Sequence, residues 1–211
     1  TGPAPRTTQP RDLPERFGVR ENPPALDRHA VRLFAEIVDA PRLSIPHLIA
    51  RAARLAEDGA NVIDLGCLPE TPFPHMAEAI AELQHQGHAV SVDSLDVDEL
   101  RVAQRAGADY ILSLTEETLF LVDEGPATPV LIPARRGSYA SLVRAIRAMQ
   151  ARNRPFLADP VLEPIHFGVA ESLTRYHRLR KQFPEVDILM GVGNITELTD
   201  ADTTGINALL F

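Results

Sequence analysis

The amino-acid sequence predicts an α/β fold, a (β/α)8 barrel of the TIM type whose series of strands stops after the seventh. Short runs rich in β-branched residues alternate with longer segments whose apolar residues recur at helical spacing. Hydrophobic strands that alternate with helices are typical of a parallel sheet covered on both faces. Seven such strands favour a barrel, and an open sheet is the alternative architecture.

The predicted strands are short apolar runs that end at turn-forming or acidic residues. They cover residues 31–38, 61–65, 89–92, 110–113, 129–132, 156–158 and 188–192. The predicted helices carry Ala, Leu, Arg and Glu at helical spacing, and several are followed by a glycine, as expected where a helix ends. They cover residues 45–57, 75–86, 97–106, 139–151 and 170–182. The connection 114–128 accommodates one short helical turn.

Length and composition indicate one domain with an appended arm. The 211 residues, 45% of them hydrophobic, suffice for a full core. Residues 1–28 hold six prolines among charged residues and form the predicted N-terminal arm. Residues 29–211 form the barrel, which is incomplete at its C-terminus because residues 203–211 resemble the opening of a further helix. We therefore expect either a trimmed chain or a barrel completed by another chain.

Charge and cysteine content limit the partners and the location of the protein. A net charge of −8 argues against nucleic acid or an anionic membrane as the main partner. No apolar run reaches the roughly 20 residues that span a membrane, and no signal-peptide core is visible at the N-terminus. The single cysteine, Cys67, excludes an internal disulfide and a cysteine zinc site. These features predict a cytoplasmic protein.

Acidic and amide side chains follow several of the predicted strands. Asp159 ends an apolar run and precedes Pro160, which cannot donate to a central ladder, so the strand should stop there. Asp64, Asp93 and Asn194 stand at similar places. Because the carboxyl ends of barrel strands build the ligand site, we expect these side chains to face a common mouth. For any single acid, capping of the following helix is the structural alternative.

A flat ligand with adjacent N–H donors suits these groups. A carboxylate accepts two parallel N–H bonds, and the amino-pyrimidinone edge of a pterin offers a 2-amino group beside a ring N–H. Asparagine, with a donor and an acceptor, suits a mixed polar edge. Val, Ile and Leu from the strands can flank a bicyclic ring. The residues therefore favour a pterin as the small-molecule partner.

Five segments, in order along the chain, resemble the pterin-binding barrel proteins, a family of dihydropteroate synthases and pterin-dependent methyltransferases. They are residues 58–66 (DGANVIDLG), 90–94 (VSVDS), 106–111 (AGADYI), 159–164 (DPVLEP) and 191–196 (GVGNIT). The resemblance implies a TIM barrel with a pterin as substrate or cofactor. The order and spacing of the segments indicate the family rather than the reaction.

The resemblance also implies roles for single residues. Asp93 and Asp159 would bind the pterin ring, with Asp159 on the amino-pyrimidinone edge. Asn194 would match the methyltransferase asparagine near the reactive ring nitrogen. Ser113 stands where the family usually has an asparagine after the fourth strand, and Asp64 joins the pterin-binding set chiefly by ordering the end of its strand.

Other positions depart from the pattern of the dihydropteroate synthases. Residues 68–72 (LPETP) replace their Ser-Thr-Arg-Pro loop, and residues 194–196 (NIT) replace the motif that carries the catalytic lysine. The eighth strand, which supplies an Arg-x-His pair, is missing. Glu36 aligns with the strand-one asparagine that holds the synthase metal, so Glu36, or the nearby Asp39, is the candidate ligand for Mg²⁺. An orthodox folate synthase is therefore not expected.

The pattern looks like the synthase-related proteins of tetrahydromethanopterin-type cofactor biosynthesis. That resemblance implies a transferase that condenses a dihydropterin methyl-diphosphate with an aryl amine, mainly by orienting substrates and stabilising charge. Arg135 and Arg136 would bind the anionic group, with a solvated helix start as the alternative. A methyltransferase or methyl-pterin-binding module for a corrinoid partner and a non-catalytic pterin-binding barrel are the alternative functions. The oligomer that the resemblance suggests is a homodimer.

Overall fold

The computed structural model of the protein describes residues 31–134, 138–200 and 203–208. The chain divides into a unit Thr1–Leu33 and a unit Phe34–Phe211. The predicted arm, residues 1–28, lies outside the described residues. All elements given below belong to the second unit.

A seven-stranded parallel sheet forms the centre of this unit, and its strands follow one another in sequence order. The strands are β1 (Phe34–Ile37), β2 (Val62–Gly66), β3 (Ala89–Asp93), β4 (Tyr110–Leu114), β5 (Thr128–Leu131), β6 (Leu157–Ala158) and β7 (Asp187–Ile188). The sheet curls into part of a barrel, and among the described residues no pairing joins β7 to β1. The predicted TIM-type α/β architecture with seven strands is confirmed.

Helices connect successive strands, as expected for parallel strands, which need a long crossover. They are α1 (Ile45–Glu57), α2 (Met76–His85), α3 (Val97–Ala106), α4 (Tyr139–Arg152), α5 (Val169–Gln182) and α6 (Thr203–Ala208). Three short 3-10 helices cover Ala40–Arg42, Leu119–Asp123 and Val192–Thr196. The helical turn predicted in the connection 114–128 is thus confirmed. No described helix is long and apolar enough to cross a membrane.

Two predicted strands are too long. The first was expected over residues 31–38 and covers only Phe34–Ile37. The seventh was expected over 188–192, but it covers Asp187–Ile188 and the chain then enters the 3-10 helix Val192–Thr196. β7 has a single strand neighbour among the described residues, and glycines at 191 and 193 weaken strand formation, so little holds this segment in the sheet.

Alternate residues of β2 face the two sides of the sheet, one packed against the helices and the other forming the interior of the curl. Ile63 and Leu65 belong to the main apolar cluster, together with Val90 and Val92 of β3. Successive strand residues point to opposite faces, so Asp64 faces the interior of the curled sheet. Hydrophobic burial on the helix-facing side, at about 25 cal/mol per Å² of apolar surface, therefore holds the polar residues of the interior in place.

Candidate functional site

Three polar side chains of the interior lie side by side across the first three strands. Glu36 of β1 pairs in register with Asp64 of β2, and Asp64 pairs in register with Ser91 of β3. In a parallel sheet, residues paired in register point to the same face. Ser91 Oγ donates a hydrogen bond of 2.6 Å to Asp64 Oδ1 in a fully buried setting. The sheet register thus builds a polar layer near the carboxyl ends of the strands.

Three carboxyl groups meet at this layer. One oxygen each of Glu36, Asp64 and Asp93 lies within 4.8 Å of the other two. The pKa of Asp64 is raised from 3.8 to about 7, chiefly by burial and in part by the charges of Asp93 and Glu36, against the opposing effect of the Ser91 hydrogen bond. Burial also raises the pKa of Glu36 and of Asp93. Carboxylates that repel each other in this way would be stabilised by a cation.

Asp93, at the end of β3, receives a hydrogen bond from the next strand. Ser113 Oγ donates to Asp93 Oδ1 at 2.5 Å. The register between β4 and β5 shifts between Ile111 and Leu114, and Ser113 within this irregularity has a left-handed φ of 66°. Non-glycine residues adopt that conformation at a cost, and such strain is concentrated at functional sites. The bulge in β4 therefore directs the Ser113 hydroxyl at Asp93.

Asp159 follows β6 directly, as predicted, and is 7% exposed. Its N–H donates to Leu131 O at 2.8 Å, which extends the ladder with β5 by one residue. Its Oδ1 accepts two hydrogen bonds, from Val161 N at 2.7 Å and from Tyr176 Oη at 2.5 Å. Oδ2 accepts none from the described residues, so this oxygen is the one that can serve a ligand.

The ionisation of Asp159 is set by opposing effects. The pKa of its carboxyl group is raised from 3.8 to about 6, chiefly by burial and in part by the charge of Asp93. The hydrogen bonds from Tyr176 and Val161 N and the charge of Arg175 lower the pKa. Because the charge of Asp93 acts on the Asp159 carboxyl group, Asp159 interacts electrostatically with the acids that β1–β3 contribute.

Three aspartates share one arrangement, although Asp64 lies in the middle of β2 and not at its end as predicted. In each, Oδ1 accepts a hydrogen bond from a hydroxyl group of the protein, from Ser91 to Asp64, from Ser113 to Asp93 and from Tyr176 to Asp159. A carboxylate has about four lone-pair positions, so a hydroxyl at one oxygen leaves the other oxygen available. The site is therefore a set of oriented acceptors rather than a loose acidic surface.

Asn194 is placed differently from the prediction. It lies in the 3-10 helix Val192–Thr196 and not at a strand end. A Cβ atom at Gly191 would lie 3.2 Å from Asn194 Nδ2 and 3.4 Å from Oδ1, so the amide sits over the backbone of its own turn. The expectation that Asn194 stands at the tip of the seventh strand was wrong, because β7 ends at Ile188.

The residues predicted to bind the anion and the metal ion lie in different settings. Arg135 and Arg136 lie outside the described residues. Asp39, the alternative metal ligand, accepts a hydrogen bond of 2.9 Å from Arg51 Nη1 at the surface. Glu36 instead joins the carboxylates of Asp64 and Asp93.

The sequence did not reveal four residues that shape the site. Ser91 and Tyr176 orient two of the acids, and Arg175 holds the turn after β6. Glu197, which follows the 3-10 helix Val192–Thr196, raises the pKa of Glu36 by its charge. The spacing of Ser172, Tyr176 and Leu179 indicates a buried helix face, but it does not tell which strand end that face meets.

Gly66 provides the space that the Glu36 side chain occupies. A Cβ atom at position 66 would come within 3.2 Å of Glu36 Cδ and 3.2 Å of the backbone Cα of Val38. We expect Gly66→Ala to lower the free energy of unfolding by about 1–3 kcal/mol, because the backbone contact cannot move aside easily. Urea unfolding would measure this effect. Gly193→Ala is the control, since nothing lies within 4 Å of its Cβ position, and an equal loss in both variants would contradict the steric explanation.

No family model matches the sequence. An uncharacterized protein of Methanocaldococcus jannaschii is 32% identical over 204 residues. The match covers 87% of this chain and 39% of the archaeal protein, so this chain spans about two fifths of the length of the curated relative.

Solved structures of dihydropteroate synthases share the fold. The enzyme from Xanthomonas albilineans in complex with 7,8-dihydropteroate gives a TM-score of 0.58 at 21% identity, covering 84% of this chain and 79% of the enzyme. The Anaplasma phagocytophilum enzyme with bound 6-hydroxymethylpterin-monophosphate gives 0.59 at 15% identity, over 85% and 86%. The Thermus thermophilus enzyme in complex with 4-aminobenzoate gives 0.60 at 21% identity, over 87% and 81%. The chain therefore has a dihydropteroate synthase-like fold.

Proposed function

We propose that the protein binds a pterin through the oriented carboxylates at the carboxyl ends of its strands. The observation that carries the proposal is Asp159, whose Oδ1 is occupied by protein donors while Oδ2 accepts nothing from the described residues. Oδ2 can accept a charge-assisted hydrogen bond from an N–H donor of an amino-pyrimidinone edge. The ligands bound by two synthases with this fold, 7,8-dihydropteroate and 6-hydroxymethylpterin-monophosphate, support the same ligand class.

The reaction that we propose is the condensation of a dihydropterin methyl-diphosphate with an aryl amine. The bond between the methylene carbon and the diphosphate oxygen breaks and the diphosphate leaves with the electron pair. The amine nitrogen then bonds to that carbon and loses a proton. Asp93 and Asp159 would hold the ring, and Arg135 and Arg136 would hold the departing anion. Positioning and charge stabilisation would supply most of the catalysis.

Glu36, Asp64 and Asp93 fit a Mg²⁺ ion. Mg²⁺ takes oxygen ligands, and one or two carboxylates with substrate phosphate oxygens are its usual protein setting. The three carboxylates supply such oxygens within 4.8 Å of one another. When bound, the ion would neutralise charge on the diphosphate and reduce the repulsion that raises the pKa of Asp64.

The alternative functions make different use of the same carboxylates. A methyl-pterin-binding module for a corrinoid partner is favoured by the match of Asn194 and of residues 159–164 to the methyltransferases. Against it, the Asn194 amide lies over the backbone at Gly191 in its own turn. A non-catalytic pterin-binding barrel would keep the ring contacts and form no product.

Calorimetry with two ligands tests these proposals. We expect a dihydropterin methyl-diphosphate with Mg²⁺ to bind, and 4-aminobenzoate added to that complex to give a pteroate product detectable by chromatography. Binding of a methyl-tetrahydropterin in preference would support the methyltransferase alternative. Binding without product would support the non-catalytic one. If neither pterin binds to protein that circular dichroism shows to be folded, the pterin proposal is wrong.

A further inference from the structure

We infer that Tyr176 is a positioning residue for Asp159, because its hydroxyl fixes one carboxylate oxygen and thereby presents the other to the ligand. The inference rests on the proposed function only in assuming that Asp159 contacts the ligand. It assigns a role to a helix residue that no segment of the family resemblance includes.

The location of Tyr176 makes its hydroxyl an internal donor. Tyr176 lies in α5, is 6% exposed, and packs with Leu162 and Ile195 in a small apolar cluster. Its Oη lies 2.5 Å from Asp159 Oδ1. Packing of the buried ring in this cluster fixes the position of the hydroxyl, in contrast to the freely rotating hydroxyl of an exposed serine.

The direction of this hydrogen bond follows from the chemistry of the two groups. Burial and the negative charge of Asp159 raise the pKa of the Tyr176 phenol well above its usual range, so the phenol keeps its proton. A protonated phenol beside a carboxylate donates, and hydrogen bonds to charged groups are the stronger kind. Oδ1 is thus held by Tyr176 and by Val161 N together.

The preceding residue of the helix fixes the turn that carries Asp159. Arg175 Nε donates to Pro160 O at 3.1 Å, and Arg175 Nη2 donates to Val161 O at 2.8 Å and to Glu163 Oε1 at 3.1 Å. Val161 has a left-handed φ of 65°, which a β-branched residue rarely adopts. Two neighbouring residues of α5 therefore fix Asp159 together. Arg175 binds the backbone of the strained turn, and Tyr176 binds the carboxylate.

Removal of the Tyr176 hydroxyl should change how Asp159 ionises. The groups that act on the Asp159 carboxylate are Tyr176 and Arg175 from α5, Val161 N from its own turn, and Asp93 from β3. Tyr176, Val161 N and Arg175 favour the ionised form, while Asp93 opposes it. In Tyr176→Phe the Asp159 carboxylate should therefore keep its proton to a higher pH.

The test compares Tyr176→Phe with Tyr139→Phe in the full chain. Tyr139 also donates to α5, at 3.1 Å to Gln182 Oε1, but it does not contact Asp159. Carboxyl ¹³C NMR of the ligand-free protein would follow the titration of Asp159. We expect its midpoint to rise by about one pH unit in Tyr176→Phe and to stay unchanged in Tyr139→Phe. Equal midpoints in both variants would overturn the inference.

Ligand affinity supplies the second measurement. Calorimetry with a dihydropterin methyl-diphosphate and Mg²⁺ should show a dissociation constant up to about tenfold higher for Tyr176→Phe than for the unsubstituted protein at pH 5, and a smaller increase at pH 8.5, where Asp159 is ionised in both proteins. A purely structural role would weaken binding equally at both pH values. If the NMR midpoint moves but the unsubstituted protein binds no pterin, the proposed function fails and the positioning role stands.

A variant that keeps the Tyr176 hydroxyl provides a second test if Tyr176→Phe does not fold. The chain has three tyrosines, and all can be replaced with 3-fluorotyrosine during expression. The more acidic fluorophenol is a stronger donor, so the Asp159 midpoint should fall instead of rise. An unchanged midpoint in the fluorinated protein would overturn the inference.

Discussion

Replacement of Asp159 with asparagine should weaken the binding of a dihydropterin at least 100-fold, about 3 kcal/mol, at pH 7.5. An asparagine at this position keeps an Oδ1 that can accept from Val161 N and Tyr176 Oη, so the turn after β6 should stay folded. The amide nitrogen then replaces Oδ2 and faces the N–H donors of the ligand with donors of its own. Calorimetry at constant Mg²⁺ would measure the loss.

Asp187→Asn is the matched control for Asp159→Asn. Asp187 begins the neighbouring strand β7, pairs in register with Leu157, and is exposed. Its replacement should leave affinity unchanged. Affinity of Asp159→Asn within threefold of the original protein would show that the ring is held elsewhere. Since the pKa of Asp159 is raised to about 6, binding to the unsubstituted protein should also weaken as the pH falls through about 6.

Replacement of Asp64 with asparagine should stabilise the protein at alkaline pH. The folded state raises the pKa of Asp64 from 3.8 to about 7, so it binds a proton more strongly than the unfolded chain does. That contribution to stability is complete below about pH 4 and is lost as the pH rises through about 7. Above pH 7 the buried charge therefore costs up to about 4 kcal/mol. Asparagine carries no charge and can still accept from Ser91.

Urea unfolding at pH 8 and pH 4.5, with a chelator to remove divalent cations, would measure the effect of Asp64→Asn. We expect an increase of about 2 kcal/mol in the free energy of unfolding at pH 8 and little change at pH 4.5. Asp109→Asn is the control, since Asp109 accepts from Val90 N at 2.9 Å at the opposite end of the sheet and its replacement should stabilise at neither pH. A destabilised Asp64→Asn at pH 8 would contradict the account of a repelling cluster.

The sequence was sufficient to predict the architecture because hydrophobic periodicity records which faces are buried. The boundaries of α1 and α3 agree with the predicted 45–57 and 97–106. For α3 the reason is local: Asp96 accepts from the N–H groups of Asp98 and Glu99, and Gly107 closes the helix with a left-handed φ of 83°. Such end signals are contained within a few residues, and the sequence displays them directly.

The site was only partly predictable, because its polar contacts join residues far apart in the chain. Asp159 and Asp93 stand at strand ends, and the position of Pro160 and the strand pattern suffice to place them. The residues that donate hydrogen bonds to these two aspartates could not be predicted in this way. Tyr176 is 17 residues from Asp159, and Ser113 reaches Asp93 only because of an irregularity in β4. Asn194 was misplaced because the pairing of an edge segment depends on its neighbours rather than on its own residues.

The strict neighbour order of the sheet has a consequence for how the protein folds. Every pairing joins a strand to the one that precedes it in the sequence, so each strand after β1 finds a partner in a part of the chain that is already made. Each pairing closes one crossover connection, a shorter loop than a pairing between distant strands would close, which lowers the entropic cost of loop closure. During synthesis the sheet can therefore grow from β1 onward as residues leave the ribosome. Asp64 and Asp93 would take their places early, and Asp159, with its partner on α5, would complete the group of acids last.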